Sequence, residues 1–213
     1  MAVSFDLFGT LVDADRPDDP AAAVAAELRE RDVRVPDDWD AAYREPHVEA
    51  PDGAEVPLQA HVSAALASRD VGAPGNAPRR AVVAAFDPDV ETREGAVAAV
   101  EAARERGPVA ICSNCAVPQL ARKAVIRSDL DREAFDAVVT SAACGWRKPD
   151  PRIFETVADR LGVPLSDLVH VGDDPRTDGG HPDADGLTDA GGEFVSLADV
   201  PLPEVPARLE GRR

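Results

Sequence analysis

The chain has 213 residues, 44% of them hydrophobic and 30% charged, enough for one well-filled core with a smaller appended lobe. Its 40 Asp and Glu outnumber 23 Lys and Arg, for a formal net charge of -17, so it has no basic stripe to neutralise nucleic-acid phosphates. No run approaches the ~18 apolar residues of a membrane span, and no basic N-terminal stretch leads into an apolar one. Nucleic acid and membrane are therefore not expected as partners, and the chain reads as cytoplasmic.

Taken in order, the chain opens with a short apolar run, Val3-Ser4-Phe5, ending in Asp6 and followed at once by Gly9-Thr10. A strand would thus deliver a carboxylate to a sheet edge, and glycine would let the backbone turn beside it. Val12 to Pro17 reads as a loop. Asp18-Asp19-Pro20 supplies acidic caps and a proline for the first helical position, and Val24 and Leu28 then sit four apart within Ala21 to Arg31. A short helix is expected around Trp39, Tyr43 and Arg44, a loop over 46–57, and a helix on Leu58, Val62 and Leu66 ending near Asp70. Val71 to Pro78 reads as a connection, so residues 16–90 form a helical insert with little strand signal.

From there strands and helices alternate. Arg93 to Arg106 is helical and stops at Gly107-Pro108, and Val109 to Cys112 is a buried strand. Pro118 to Ile126 is helical, Ala137 to Thr140 is a strand, and Pro151 to Leu161 places Ile153, Phe154, Val157 and Leu161 on one helix face. Leu168 to Val171 and Glu193 to Leu197 are further strands, and the tail from Asp199 is uninformative. Strands separated by helices of this length imply a parallel sheet.

Each strand ends in polar residues. The second ends Cys112-Ser113-Asn114, the stretch after the third carries Gly145-Trp146-Arg147-Lys148-Pro149-Asp150, and the fourth runs into Gly172-Asp173-Asp174-Pro175-Arg176-Thr177-Asp178. Together with Asp6-Leu7-Phe8-Gly9-Thr10, these stretches resemble the four motifs of the haloacid dehalogenase-like (HAD) hydrolase superfamily. The resemblance implies an α/β fold: a three-layer Rossmann-like parallel sheet core, residues 1–15 and 91–213, with an inserted helical cap domain at 16–90.

It also implies roles. Asp6 is the covalent nucleophile; Lys148 neutralises charge and keeps Asp6 ionised. Ser113 donates to a substrate oxygen, Asn114 orients the leaving side, and Phe8, Gly9 and Thr10 line the substrate. Asp6, the Phe8 carbonyl and Asp173 ligate Mg²⁺, Asp178 supports them directly or through water, and Asp174 is a second candidate ligand. The substrate class is a small phosphorylated molecule.

One position breaks the pattern. Family phosphatases usually carry a second aspartate two residues after the nucleophile, a proton donor and acceptor; here it is Phe8, and aromatic residues at this place are typical of the family's metal-independent 2-haloacid dehalogenases. The three aspartates of the fourth motif make sense around a cation, so a Mg²⁺-dependent phosphatase is the leading reading. A dehalogenase using the same Asp6 and a low-turnover phospho-ligand binder are the alternatives.

The other chemically active residues read as structural. Cys112, Cys115 and Cys144 are too few for a disulfide framework and lack a fourth zinc ligand; buried apolar cysteine is the default, with a redox pair as the alternative. His170 reads as a core residue. His47, His61 and His181 have no motif context, and Trp39, Tyr43 and Arg44 either face the substrate from the cap or pack on a helix face. An acidic chain with only Lys123 and Lys148 as lysines looks like a protein adapted to high salt.

Overall fold

Strand β1 (Ala2–Phe5) forms the middle of a five-stranded parallel sheet in the computed structural model, which describes residues 1–179 and 186–211. Beside it lie β4 (Val109–Ser113) and β6 (Leu168–Gly172), and outside these β5 (Ala137–Thr140) and β7 (Glu193–Ser196), in the order β5-β4-β1-β6-β7. Phe5 stands opposite Ile111 and Val171, Ser113 opposite Thr140, and Gly172 opposite Ser196. The strands therefore finish level with one another, and the polar residues that follow them share one edge of the sheet. Ligands of open α/β sheets collect at this edge.

The period-two alternation of strand side chains builds the three layers. Val3, Phe5, Val109, Ile111, Val169 and Val171 face one way and bury against α5 (Ala96–Arg104), α6 (Leu120–Arg127) and α9 (Val205–Glu210). Ala2, Ala110, Cys112 and Leu168 face the other way, onto Ile153, Phe154 and Val157 of α8 (Pro151–Leu161). The apolar stripe that the sequence places on 151–161 is the one buried. The tail also contributes, since Val205 and Leu209 of α9 are buried.

Between the first two motifs the chain leaves and re-enters through a two-stranded antiparallel ribbon, β2 (Val12–Ala14) with β3 (Val90–Thr92), where the sequence reads a loop. The helices α1 (Pro20–Arg29), α2 (Trp39–Arg44), α3 (Leu58–Ala67) and α4 (Ala77–Ala85) lie between the ribbon's strands. As the caps imply, Asp19 accepts from Ala22 N at 2.9 Å with Pro20 in the first turn. Helix α4 begins where the sequence reads a connection ending at Pro78. Proline in a first turn loses no helical hydrogen bond, so it starts this helix rather than breaking one.

These helices bury their own apolar cluster, which takes in Val24, Leu28, Leu66 and Val82 and draws Cys115 and Val117 from the sheet side. Phe8 packs against both this cluster and that of the sheet. Trp39 is buried and donates from Nε1 to Ala21 O at 2.8 Å, while Tyr43 meets His61 edge-on, so both pack within the helices; Arg44 is exposed and pairs with Asp40. No helix among the described residues is long and apolar enough to cross a membrane.

Candidate active site

Asp6 directly follows β1, its amide bonded to Val171 O at 2.9 Å, and its side chain is buried at the sheet edge. The turn after it depends on Gly9, which sits at φ +88 with its amide bonded to Val12 O at 2.8 Å. A Cβ there would lie 2.7 Å from Asp173 Oδ2, so glycine serves both the left-handed backbone and the close approach of a carboxylate. The Thr10 hydroxyl donates to Asp173 Oδ1 at 3.0 Å, which ties the first motif to the fourth.

Lys148 reaches in from the loop after α7 (Ser141–Cys144), the short helix that follows β5, and is buried among carboxylates. Its Nζ lies 2.8 Å from Asp6 Oδ1 and 2.5 Å from Asp178 Oδ1. Burial works against its charge, but the Asp6 and Asp178 carboxylates outweigh it and hold its pKa above the ordinary lysine value. Asp178 behaves in the mirror sense. Burial pushes its carboxyl up, yet the hydrogen bond from His170 and the charge of Lys148 prevail and hold it well below the usual carboxylate range.

His170 is buried in β6, and burial keeps its imidazole pKa below the ordinary value. Its neutral form satisfies both neighbours, donating from Nε2 to Asp178 at 3.3 Å and accepting at Nδ1 from Ser4 Oγ at 2.8 Å. It is a core residue, as the sequence reading holds, and also a strut for an active-site carboxylate. Gly172 leaves the room for that carboxylate, since a Cβ there would collide with Asp178.

Asp6, Asp173 and Asp178 can each offer an oxygen with all three atoms within 4.8 Å of one another. Among the described residues, the buried Asp6 Oδ1 accepts no well-aligned hydrogen bond, and Lys148 is the cation that meets its charge. Burial, with the charges of Asp6 and Asp178 added, lifts the Asp173 carboxyl above its usual range against the Thr10 hydrogen bond. A hard cation with oxygen ligands fits such a set, because it supplies the positive charge these groups lack. Asp174 does not join them. Its Oδ1 accepts from Arg176 N at 2.9 Å in a local turn, and its own amide donates to Asp178 Oδ2, so it shapes the loop instead.

At the end of β4, Ser113 is buried and its hydroxyl has no hydrogen-bond partner among the described residues. Both polar ends of Asn114 go to one partner: Nδ2 donates to Lys148 O at 2.9 Å and Oδ1 accepts from Lys148 N at 2.7 Å. Asn114 therefore fixes the lysine's backbone. Cys112 and Cys115 are buried and free, Cys144 is half-buried and free, and no cysteine joins a metal-holding group among the described residues. Burial raises all three thiols, Cys112 far above its usual range. His181 lies outside the described residues.

A cavity of about 220 Å³ opens between the helices and the sheet edge, bounded by Phe8 and Asn114 and by Arg16, Glu55 and Arg147. The last three escape sequence reasoning. Glu55 sits in a Pro/Gly-rich loop without a motif, yet Ser141 Oγ donates to its Oε2 at 2.5 Å and itself accepts from Cys115 N at 2.9 Å. Backbone bonds from Glu55 N to Gly145 O, Arg147 N to Gly53 O and Leu58 N to Ala116 O stitch that loop to the second and third motifs.

A family model described as haloacid dehalogenase-like hydrolase matches residues 1–179. Haloacid dehalogenase-like hydrolase domain-containing protein 3 of Bos taurus is 37% identical over 86 residues, 40% of this chain and 33% of that protein. Its Homo sapiens counterpart is 45% identical over 56 residues, 26% of this chain and 22% of that protein, so the matches span a minor part of each relative. Among solved structures, the 2-haloacid dehalogenase of Pseudomonas syringae pv. Tomato superimposes with a TM-score of 0.59 at 18% identity over 92% of this chain and 85% of that one. CbbY from Rhodobacter sphaeroides, in complex with phosphate, does so with a TM-score of 0.57 at 17% identity over 92% and 84%. At these identities the structural likeness is one of fold.

Proposed function

This chain belongs to the haloacid dehalogenase-like hydrolase family, and from that premise we propose that it is a Mg²⁺-dependent phosphatase acting on a small phosphorylated metabolite. The observation that carries the reading is the charge balance around Asp6. Asp6, Asp173 and Asp178 contribute three negative charges and Lys148 returns one, a deficit of two that a divalent cation cancels. Asp6 and Asp173 would hold it, with Asp178 fixed behind them by Lys148 and His170. When bound there, Mg²⁺ supplies neutralising charge for the phosphoryl oxygens.

The chain's own residues account for the rest. An Asp6 oxygen attacks phosphorus, the P–O bond to the alcohol breaks, and water then cleaves the aspartyl phosphate to release inorganic phosphate and regenerate Asp6. Lys148, 2.8 Å from Asp6 Oδ1, offsets charge on the nucleophile and on the transferred group. The free Ser113 hydroxyl is available to donate to a phosphoryl oxygen. Phe8 can neither give nor take a proton, so alcohols that leave as stable anions are favoured.

The test is hydrolysis of p-nitrophenyl phosphate in high salt with and without Mg²⁺, beside an Asp6→Asn control. Turnover that needs Mg²⁺ and vanishes in the control is expected. A second reading, a 2-haloacid dehalogenase, is favoured by Phe8, an aromatic ring at the cavity wall where phosphatases carry a carboxylate. Chelator-resistant halide release from 2-chloropropionate would establish it instead. A phosphate-analogue binder would show neither activity.

A further inference from the structure

The cavity beside Asn114 and Phe8 differs from the rest of this acidic chain. It carries Arg16 and Arg147 against Glu55 and Asp15, so its charge is balanced where the molecule as a whole stands at -17. Arg16 is exposed and has no carboxylate partner among the described residues. The Arg147 side chain meets a carboxylate only at 3.9 Å, from Glu55, whose Oε2 already accepts from Ser141 at 2.5 Å. Two exposed arginines, neither in a close ion pair among the described residues, thus border the space next to the phosphoryl-transfer residues.

The adjoining opening has the opposite character. Asp13, Asp15, Asp89 and Glu91 border it together with Phe8 and Arg16, and they repel an anion from that side. The remaining walls of the arginine-bearing cavity are apolar, with Leu58, Phe86 and Leu120. Its volume is about 220 Å³, below the roughly 300–1,000 Å³ of drug-sized ligand sites, so a small ligand suits it. Planar guanidinium groups bind carboxylates through paired hydrogen bonds, which a neutral alcohol cannot match.

We propose that this cavity takes the non-reacting part of the substrate and that this part is a short organic acid, its carboxylate held by Arg16 and Arg147 and its carbon chain lying against Leu58 and Phe86. Arg16 and Arg147 are then specificity-determining residues. The inference rests on the phosphatase reading for the transferred group but not for the carboxylate.

The experiment compares the phosphate ester of 3-hydroxypropanoate with propyl phosphate, whose leaving alcohols differ chiefly in charge, in high KCl with Mg²⁺. The wild-type kcat/KM is expected to favour the carboxylate ester by ~10-fold or more. Arg16→Ala and Arg147→Ala are each expected to erode that ratio at least fivefold, mostly through KM, while Arg79→Ala, whose side chain lies on another surface, leaves it in place. In parallel, calorimetry should detect 3-hydroxypropanoate binding that weakens in both variants, and no binding of 1-propanol. If neither ester turns over, hydrolysis of p-nitrophenyl phosphate decides the phosphatase reading, and the calorimetric arm alone decides the carboxylate site. Equal kcat/KM for the two esters, or equal losses on both in the variants, or no binding of the acid to the wild type, overturns the proposal.

Discussion

Lys148→Met tests the electrostatic centre of the site directly. The substitution keeps much of the side-chain length and deletes the ammonium that lies 2.8 Å from Asp6 Oδ1 and 2.5 Å from Asp178 Oδ1. At an effective dielectric constant of about 20 the Asp6 contact alone corresponds to about 6 kcal/mol of attraction. Much of that offsets the desolvation of groups that are 2% and 12% exposed, so the net cost of stranding the carboxylates is about 3–5 kcal/mol.

With a urea slope of about 2 kcal/mol per molar, the unfolding midpoint of the chelator-treated variant should fall by about 1.5–2.5 M at neutral pH. The sign with pH follows from the two shifts. Lys148 is raised, so its contribution is present below the unfolded lysine pKa of about 10.4 and is lost as pH rises through the folded value. Asp178 is lowered, so its contribution is present above about 3.9 and is lost as pH falls through the folded value. The wild-type advantage over the variant should therefore be a plateau across neutral pH that narrows in acid. Lys123→Met is the control, because its pair with Asp87 is at the surface and worth less than about 1 kcal/mol. A midpoint drop under about 0.5 M for Lys148→Met, or one equal to that of Lys123→Met, would refute the account.

Other outcomes follow from single contacts. Gly9→Ala forces a left-handed residue at a cost of about 1–2 kcal/mol and drives its Cβ onto Asp173, so metal affinity measured by calorimetry should fall along with the melting temperature. The Asp136 carboxyl is lowered, first by its hydrogen bond from Val109 N and then, against burial, by Arg104; its contribution is present above about pH 4 and is lost as pH falls. Asp136→Asn should accordingly flatten the acid limb of a pH–melting curve, and an unchanged limb would count against that contact. Because Phe8 moves no proton, p-nitrophenyl phosphate should exceed propyl phosphate in kcat by well over ~10²-fold, and Phe8→Asp should narrow the gap by raising the propyl ester's rate.

Much of the fold is legible locally. The strand at 137–140 and the helix at 151–161 have the bounds read from their patterns, because β-branched runs and a 3.6-residue stripe are properties of adjacent residues. The ribbon of Val12–Ala14 with Val90–Thr92 was not legible, since three-residue strands exist only through a partner far along the chain. Helix α4 was hidden by a proline that reads as a stop and acts as a start.

The site divides along the same line. Asp6, Ser113, Lys148 and Asp173 could be nominated from the chain because they lie in motif-like stretches at or beyond the strand ends of one parallel sheet, and level strand ends gather such stretches. The resemblance gave Asp178 a supporting role and Asp174 a second candidacy, but no physical pattern in the chain separates the two. Neighbours in one acidic run are separated only by how the loop folds, one carboxylate capping Arg176 and the other buried on Lys148 and His170. Nor could the sequence bring Glu55 to Ser141 or set Arg16 and Arg147 on one cavity, because both depend on how the inserted helices dock on the sheet. The amino-acid order determined the α/β fold class and carried the four strand-end stretches whose resemblance marks the hydrolase family. Tertiary packing alone decided which carboxylates gather beside Asp6 and which arginines border the cavity.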